Sequence, residues 1–174
     1  MSAQQRFSVD AALKQAFLGS TAQLRPAHAA AALIVLADGR YVLQLRDTYP
    51  TIFYPGHWGC FGGAIEANET AFEALSRELL EELGLRVSPA ECRYFTEFTF
   101  DFGFAGLGVF CRHYHLVSLQ IDTIDRFTLA EGADLGAFSA DEILTQLRVT
   151  PYDAFAIWLC HHGERLQAND ARSA

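Results

Sequence analysis

Positive charge is what this chain has least of: its 174 residues carry a formal net charge of −8. That balance excludes long nucleic acid held on a basic face, because such binding rests on lysines and arginines that neutralise phosphates. A small phosphate-bearing ligand is still allowed, since metal ions can bridge two anionic partners. Cysteines are few. Cys60, Cys92, Cys111 and Cys160 are scattered, with no C-x-x-C pair and no histidine at zinc-finger spacing. They read as reduced thiols of a cytoplasmic protein, buried for packing. The first twenty residues lack a basic segment followed by an apolar core, so no secretory signal is expected. The longest apolar run, from Ala29 to Ala37, is about half of what a bilayer span requires, and no membrane partner follows. Repeats, low-complexity tracts and linkers are absent too, and a composition that is 51% hydrophobic suffices for one core.

What the chain does have is a dense acidic segment, GAIEANETAFEALSRELLEELGL, from Gly63 to Leu85. Thr70 and Glu73 have capping-box spacing and Gly84 is a natural stop, which predicts a helix between them. At about 100° per residue, Phe72, Leu75, Leu79 and Leu83 form one apolar stripe. Glu78, Glu81 and Glu82 share a neighbouring arc. Like charges three or four residues apart repel by a few tenths of a kcal/mol on an exposed helix, and more where water is excluded. A hard divalent cation reverses that sign, because clustered oxygen ligands suit Mg²⁺ or Mn²⁺. Acidic helices are ordinarily just solvated faces, so the cluster alone decides nothing.

The other elements follow from pattern. Ala29–Leu36 reads as a buried strand and Tyr41–Leu45 as its hairpin partner across Asp38-Gly39. Arg46 to Phe61, rich in proline, glycine and aromatics, reads as an ordered loop beside the site. Cys92–Phe102 and Val109–Leu119 read as strands, with Phe98, Phe100, Phe102 and Phe104 alternating onto one face; such a row is more often core than ligand platform. His113 and His115 read as sheet residues, for want of a third ligand nearby. Gln120 to Leu135 reads as loop and strand edge. Ser139 and Glu142 form a second capping box, opening a short helix to about Leu147. Another helix starts at Pro151, with Tyr152, Phe155 and Leu159 lining one face and Gly163 as its end. The expected division is an extension over residues 1–28 with a short helix at Val9–Leu18, one domain over 29–165, and a tail over 166–174. Strands, a central helix, more strands and terminal helices make a mixed α/β domain with helices covering a sheet.

The acidic segment meets the pattern G-x5-E-x7-R-E-U-x-E-E-x-G-U, with U aliphatic, at Gly63, Glu69, Arg77, Glu78, Leu79, Glu81, Glu82, Gly84 and Leu85. At average residue usage a chance match is on the order of 10⁻⁸ per register. The sequence therefore resembles the Nudix hydrolase superfamily. One departure is Phe61, where that family often has proline before the glycine pair.

The resemblance implies an α/β/α sandwich around a mixed β-sheet, with the box as a loop-helix-loop. It implies a hydrolase that uses Mg²⁺ or Mn²⁺ to cleave the diphosphate of a small nucleotide, either a nucleoside triphosphate or a nucleotide-sugar-like compound. Glu78, Glu81 and Glu82 match the metal-ligating positions, and the Gly63 carbonyl commonly joins them. Arg77 and Glu69 match the pair that orients those ligands. Family members differ in the general base, either the residue matching Glu78 or an acid from a later loop. Glu131, then Asp134, are the outside acids nominated as a further ligand. Arg46, Phe53, Tyr54, Trp58 and Glu66 are the nominated substrate contacts, although Phe53, Tyr54 and Trp58 serve equally well as loop anchors. The family's subgroup signatures are missing: there is no proline near Phe100 and no SQPWPFPxS. Family members are often dimers, so a homodimer is allowed. Two alternatives remain: a nucleotide-sensing module without hydrolysis, and an isomerase like the isoprenoid diphosphate enzyme, for which Cys60 would be the thiol.

Overall fold

The computed structural model describes residues 26–49, 51–103 and 106–170. The helix expected at Val9–Leu18, nearly all of the 1–28 extension, Phe104 and residues 171–174 of the tail lie outside the described residues.

The fold is built on β1 (Ala29–Leu36), which is apolar along its whole length. A strand covered on both faces must read this way. It pairs in parallel with β5 (Val109–Leu119), and β4 (Cys92–Asp101) runs antiparallel to β5. β2 (Tyr41–Leu45) returns from β1 through Gly39, which sits at φ 85°. β2 in turn pairs antiparallel with β6 (Asp134–Phe138), and the whole is a six-stranded mixed sheet.

Strand alternation sorts the core into two layers. Ala30, Ala32, Ile34 and Leu36 pack with Leu75, Leu79 and Leu83 of α1 (Ala71–Leu83). Ala31 and Leu33 pack with Ile143 of α2 (Ala140–Thr145) and with Ala156 and Ile157 of α3 (Pro151–Asp170). The result is the expected sandwich, with helices on both faces of the sheet. Among the described residues, no helix is long and apolar enough to cross a membrane.

The sheet is split where the site will form. β1 and β2 pair only at Ile34↔Val42 and Val35↔Tyr41. Further back, the Ala32 and Ala30 amides donate instead to the carbonyls of Phe61 and Gly63, each at 2.9 Å. The Arg46–Phe61 stretch therefore contains a strand, β3 (Trp58–Gly59), on the end of β2. Two residues are too short to show a period in sequence. Gly62 makes the insertion feasible: its φ is 124°, and a Cβ there would run into the Ala30 backbone.

α1 forms where the caps place it. The Thr70 hydroxyl accepts from the Glu73 amide at 3.2 Å, and the Glu73 carboxylate accepts from the Thr70 amide at 2.8 Å. Gly84, at φ 68°, ends it, with Gly84 and Leu85 amides donating to Leu80 and Leu79. Two further carbonyls at this end receive the Ala130 amide on Glu82 and the Thr128 amide on Leu83. A helix leaves its last carbonyls unpaired, and here they anchor the loop that precedes β6.

α3 differs from expectation in rotation and length. Among its described side chains the buried ones are Asp153, Ala156 and Ile157, whereas Phe155 is 51% exposed. The Asp153 carboxylate accepts from the Cys60 amide at 2.9 Å, the Thr150 and Tyr114 hydroxyls at 2.8 Å, and Arg112 Nε at 3.2 Å. A buried carboxylate needs its donors, and this one turns α3 to meet them, so apolar periodicity misplaced the face. Gly163 does not stop the helix, which continues to Asp170. Glycine inside a helix costs about 1 kcal/mol but breaks nothing when no left-handed cap follows.

Asp153→Ala should lower unfolding free energy by about 3–5 kcal/mol in denaturant titrations, because Arg112 would be left buried without its counter-charge. Gly163→Ala should raise it by about 0.5–1 kcal/mol, since a methyl group there meets nothing within 4 Å.

Candidate functional site

The C-terminal half of α1 faces the split in the sheet. Glu78, Glu81 and Glu82 line an open cleft of about 410 Å³, together with Gly62, Gly63, Gln44, Arg46 and Glu131. Helical geometry brings the first three together. Glu131 arrives on the loop tied to the carbonyls of Glu82 and Leu83.

The carboxylates are held differently. Glu82 is only 4% exposed; it accepts from the Gly62 amide at 2.8 Å and from Gln44 Nε2 at 3.2 Å. Burial raises its pKa to about 7 against the pull of those two donors, and the charges of Glu78 and Glu131 add to the rise. Glu78 is also raised by burial, opposed by Arg77, with Glu81 and Glu131 adding. The Glu81 side chain is 60% exposed. Arg77 braces the group from one side. Its Nε and Nη2 donate to the two Glu69 oxygens at 2.8 and 3.0 Å, Nη1 to Glu78 at 2.7 Å, and Nη2 also to the Ala64 carbonyl at 3.1 Å. This fork and the Glu66 amide hold Glu69 down at about 2. Glu69 therefore stays an anion that orients Arg77.

The donors suit a hard divalent cation. Four carboxylates share one cleft, and the two most buried among them bind protons more tightly than free glutamate, chiefly because burial disfavours their charged forms and secondarily because of the neighbouring carboxylates. Gly63 has no room for a side chain, because a Cβ would come within 2.5 Å of the Glu78 carboxylate. Its carbonyl already accepts one hydrogen bond, from Ala30, and keeps a second lone pair.

A second cleft, of about 200 Å³, shares Arg46, Gly62 and Gly63 with the first and is walled by Phe53, Phe100, Phe102, Phe110, Arg112 and Tyr152. Arg46 donates from Nε to the Phe53 carbonyl at 2.9 Å, which holds it between the two.

Several nominated residues stand elsewhere. Trp58 is no cleft residue: its ring packs edge-on against Phe138, 4.7 Å between centroids, in the layer of α2 and α3. Strand pairing in β3 points it there. Tyr54 rests against Tyr152 without lining the cleft itself. Glu66 is exposed and lines neither cleft; its amide caps Glu69. Asp134 also lies outside, on β6. The phenylalanine row divides: Phe98 packs on the core, whereas Phe100 and Phe102 face the aromatic cleft.

Gln44, Arg112, Phe110 and Tyr152 were not anticipated. Gln44 and Arg112 had a signal, each being a polar residue inside an apolar strand. Phe110 and Tyr152 had none.

Comparison with known proteins agrees with this geometry. The NUDIX domain profile matches residues 26–157. Nucleoside triphosphatase NudI of Enterobacter sp. (strain 638) is 43% identical over 54 residues, 31% of this chain and 38% of that protein. The match thus spans well under half of that relative. Among solved structures, the MutT protein from Methanosarcina mazei Go1 superposes with a TM-score of 0.64 at 19% identity, covering 84% of this chain and 96% of that one. A bifunctional NMN adenylyltransferase/ADP ribose pyrophosphatase from Francisella tularensis, complexed with AMP and a Mn ion, gives 0.60 at 21% identity, covering 79% of this chain and 42% of that one. At such identities the structural likeness is one of fold. The NUDIX profile spans most of the chain, and Gly63, Glu78, Glu81 and Glu82 of the box pattern line the cleft, so the chain belongs to the Nudix family.

Proposed function

We propose that the protein is a divalent-cation-dependent pyrophosphohydrolase. It would cleave the diphosphate of a nucleoside diphosphate linked to another moiety, a nucleoside triphosphate or a nucleotide-sugar-like compound. One observation carries this reading: the acidic cleft and the aromatic cleft meet at Arg46, Gly62 and Gly63. A ligand that has a planar base and a diphosphate has one half for each.

Glu78, Glu81, Glu82 and Glu131, with the Gly63 carbonyl, are the residues that would hold Mg²⁺ or Mn²⁺. When bound, the cation supplies Lewis-acid neutralisation of phosphate charge. The chain's own residues do the remainder. Gln44 and the Gly62 amide fix the Glu82 carboxylate, and Arg77, held by Glu69, fixes Glu78. Arg46 offers a cation where the two clefts join. Phe53, Phe100, Phe102 and Tyr152 offer apolar faces on which a base can stack.

The alternatives fit less well. An isomerase would need a reactive thiol at the site, but Cys60 is 1% exposed, and burial and the charge of Asp153 push its pKa well up. It lies in the layer of α2 and α3. Against a sensing module stands the intact box, with every charged position of the pattern present from Glu69 to Glu82.

Purified protein with Mg²⁺ or Mn²⁺, screened against nucleoside triphosphates and nucleotide-sugar diphosphates, should release phosphate, pyrophosphate or nucleoside monophosphate. Binding without turnover across that panel would support the sensing module instead. Glu81→Gln and Glu82→Gln should each lower kcat/KM by at least about 100-fold with the fold retained, and Arg77→Gln by about 10–100-fold, the range typical of a residue that orients a ligand.

The metal-free protein should also respond to pH. Between the ordinary glutamate value of 4.5 and about 7, Glu82 binds more protons folded than unfolded. Raising pH through that window therefore removes stability. Thermal unfolding without metal should show the decline, and Glu82→Gln should flatten it. Below pH 7, affinity for the divalent ion should weaken by about tenfold per pH unit, because one proton must leave.

A further inference from the structure

Thiol, imidazole and carboxylate converge at a second place, on the β4–β5 hairpin. The antiparallel register sets Glu97 opposite His113 and Thr99 opposite Cys111, and residues two apart on a strand share a face. His113 Nδ1 lies 2.9 Å from Glu97 Oε2. One ligand atom from each of Glu97, Cys111 and His113 lies within 4.8 Å of the other two. Taken by itself, β5 showed two histidines without a partner; pairing with β4 supplies it.

We propose that Glu97, Cys111 and His113 form a metal site for a zinc-class ion, separate from the carboxylates of the acidic cleft. The ligand types choose the ion. A thiolate and an imidazole with one carboxylate suit Zn²⁺, whereas the hard cations that suit four carboxylates avoid sulfur. Three protein ligands leave one tetrahedral position for water or an added ligand. The mounting is stiff, because β5 is hydrogen-bonded to β4 on one edge and to β1 on the other from Arg112 onward. The Cys111 amide is itself held by His28 Nδ1 at 3.2 Å.

A second observation lies on the same face. His115, two residues beyond His113, is 5% exposed, and its Nδ1 is the one buried side-chain nitrogen without a hydrogen-bond partner among the described residues. A buried nitrogen left this way costs about 1–3 kcal/mol, and it lies on the strand face that carries Cys111 and His113. Cys111 also lines the aromatic cleft, so the site adjoins that wall. Binding converts the Cys111 thiol to thiolate, and its proton goes to solvent. No electron is transferred.

Cobalt separates this site from the carboxylate cleft, since only a thiolate ligand gives sulfur-to-cobalt charge-transfer absorption in the near ultraviolet. Co²⁺ titrated into the full chain, in excess Mg²⁺, should produce that band, saturating at a single equivalent, and Zn²⁺ should abolish it. Cys111→Ser should eliminate the band. His113→Ala, a change at a partly exposed position, should weaken Co²⁺ binding by more than about 100-fold, beyond what loss of an outer partner costs. Glu82→Gln should leave the band unchanged, which keeps the result independent of the proposed hydrolysis. A wild-type protein without the band, a band that survives Cys111→Ser, or unchanged affinity in His113→Ala would each overturn the site.

Discussion

Glutamates at the end of α1 repel one another, and the fold holds them together regardless. Glu82 is buried with two donors on its carboxylate, Glu78 is half-buried against Arg77, and Glu131 is brought in from another loop. Burial and mutual repulsion both raise proton affinity, as they do at Glu78 and Glu82. Shifted carboxylates of this kind gather at functional sites. Much of the remaining architecture serves to maintain it: the two caps that set the length of α1, the Glu69–Arg77 fork, and the loop pinned to the helix's last carbonyls.

The split between β1 and β2 is what gives the charges a floor. An intact ladder would have closed the sheet beneath α1. Instead the segment through Phe61 and Gly63 takes over the amides of β1, and Gly62 and Gly63 let backbone pass where side chains would collide with Ala30 and Glu78. The same opening joins the acidic cleft to the aromatic one. On the opposite face, the buried Asp153 fastens α3 to the sheet and to Cys60, just before the glycine pair. The backbone at the site is thus held from both layers.

How much could be read in advance depended on the range of the interaction. The ends of α1 were legible because capping is a matter of three or four adjacent residues. β1 was legible because burial on two faces leaves a long apolar run. The rotation of α3 was not, because it answers to Cys60, Arg112 and Tyr114, all distant in sequence. Trp58 fits two roles on composition, ligand contact or loop anchor, and strand pairing packs it against Phe138. Glu131 could be nominated only as an acid outside the box, since nothing local says where a loop will dock.

Helical period and neighbouring residues are enough to specify the central helix, its caps, its buried stripe and the crowding of three carboxylates beside it. Tertiary contacts alone bring Gln44 and the Gly62 amide to Glu82, add Glu131 to the cluster and set Glu97 against Cys111 and His113. Those meetings depend on strand register and loop docking, which join residues far apart along the chain and leave no local pattern behind.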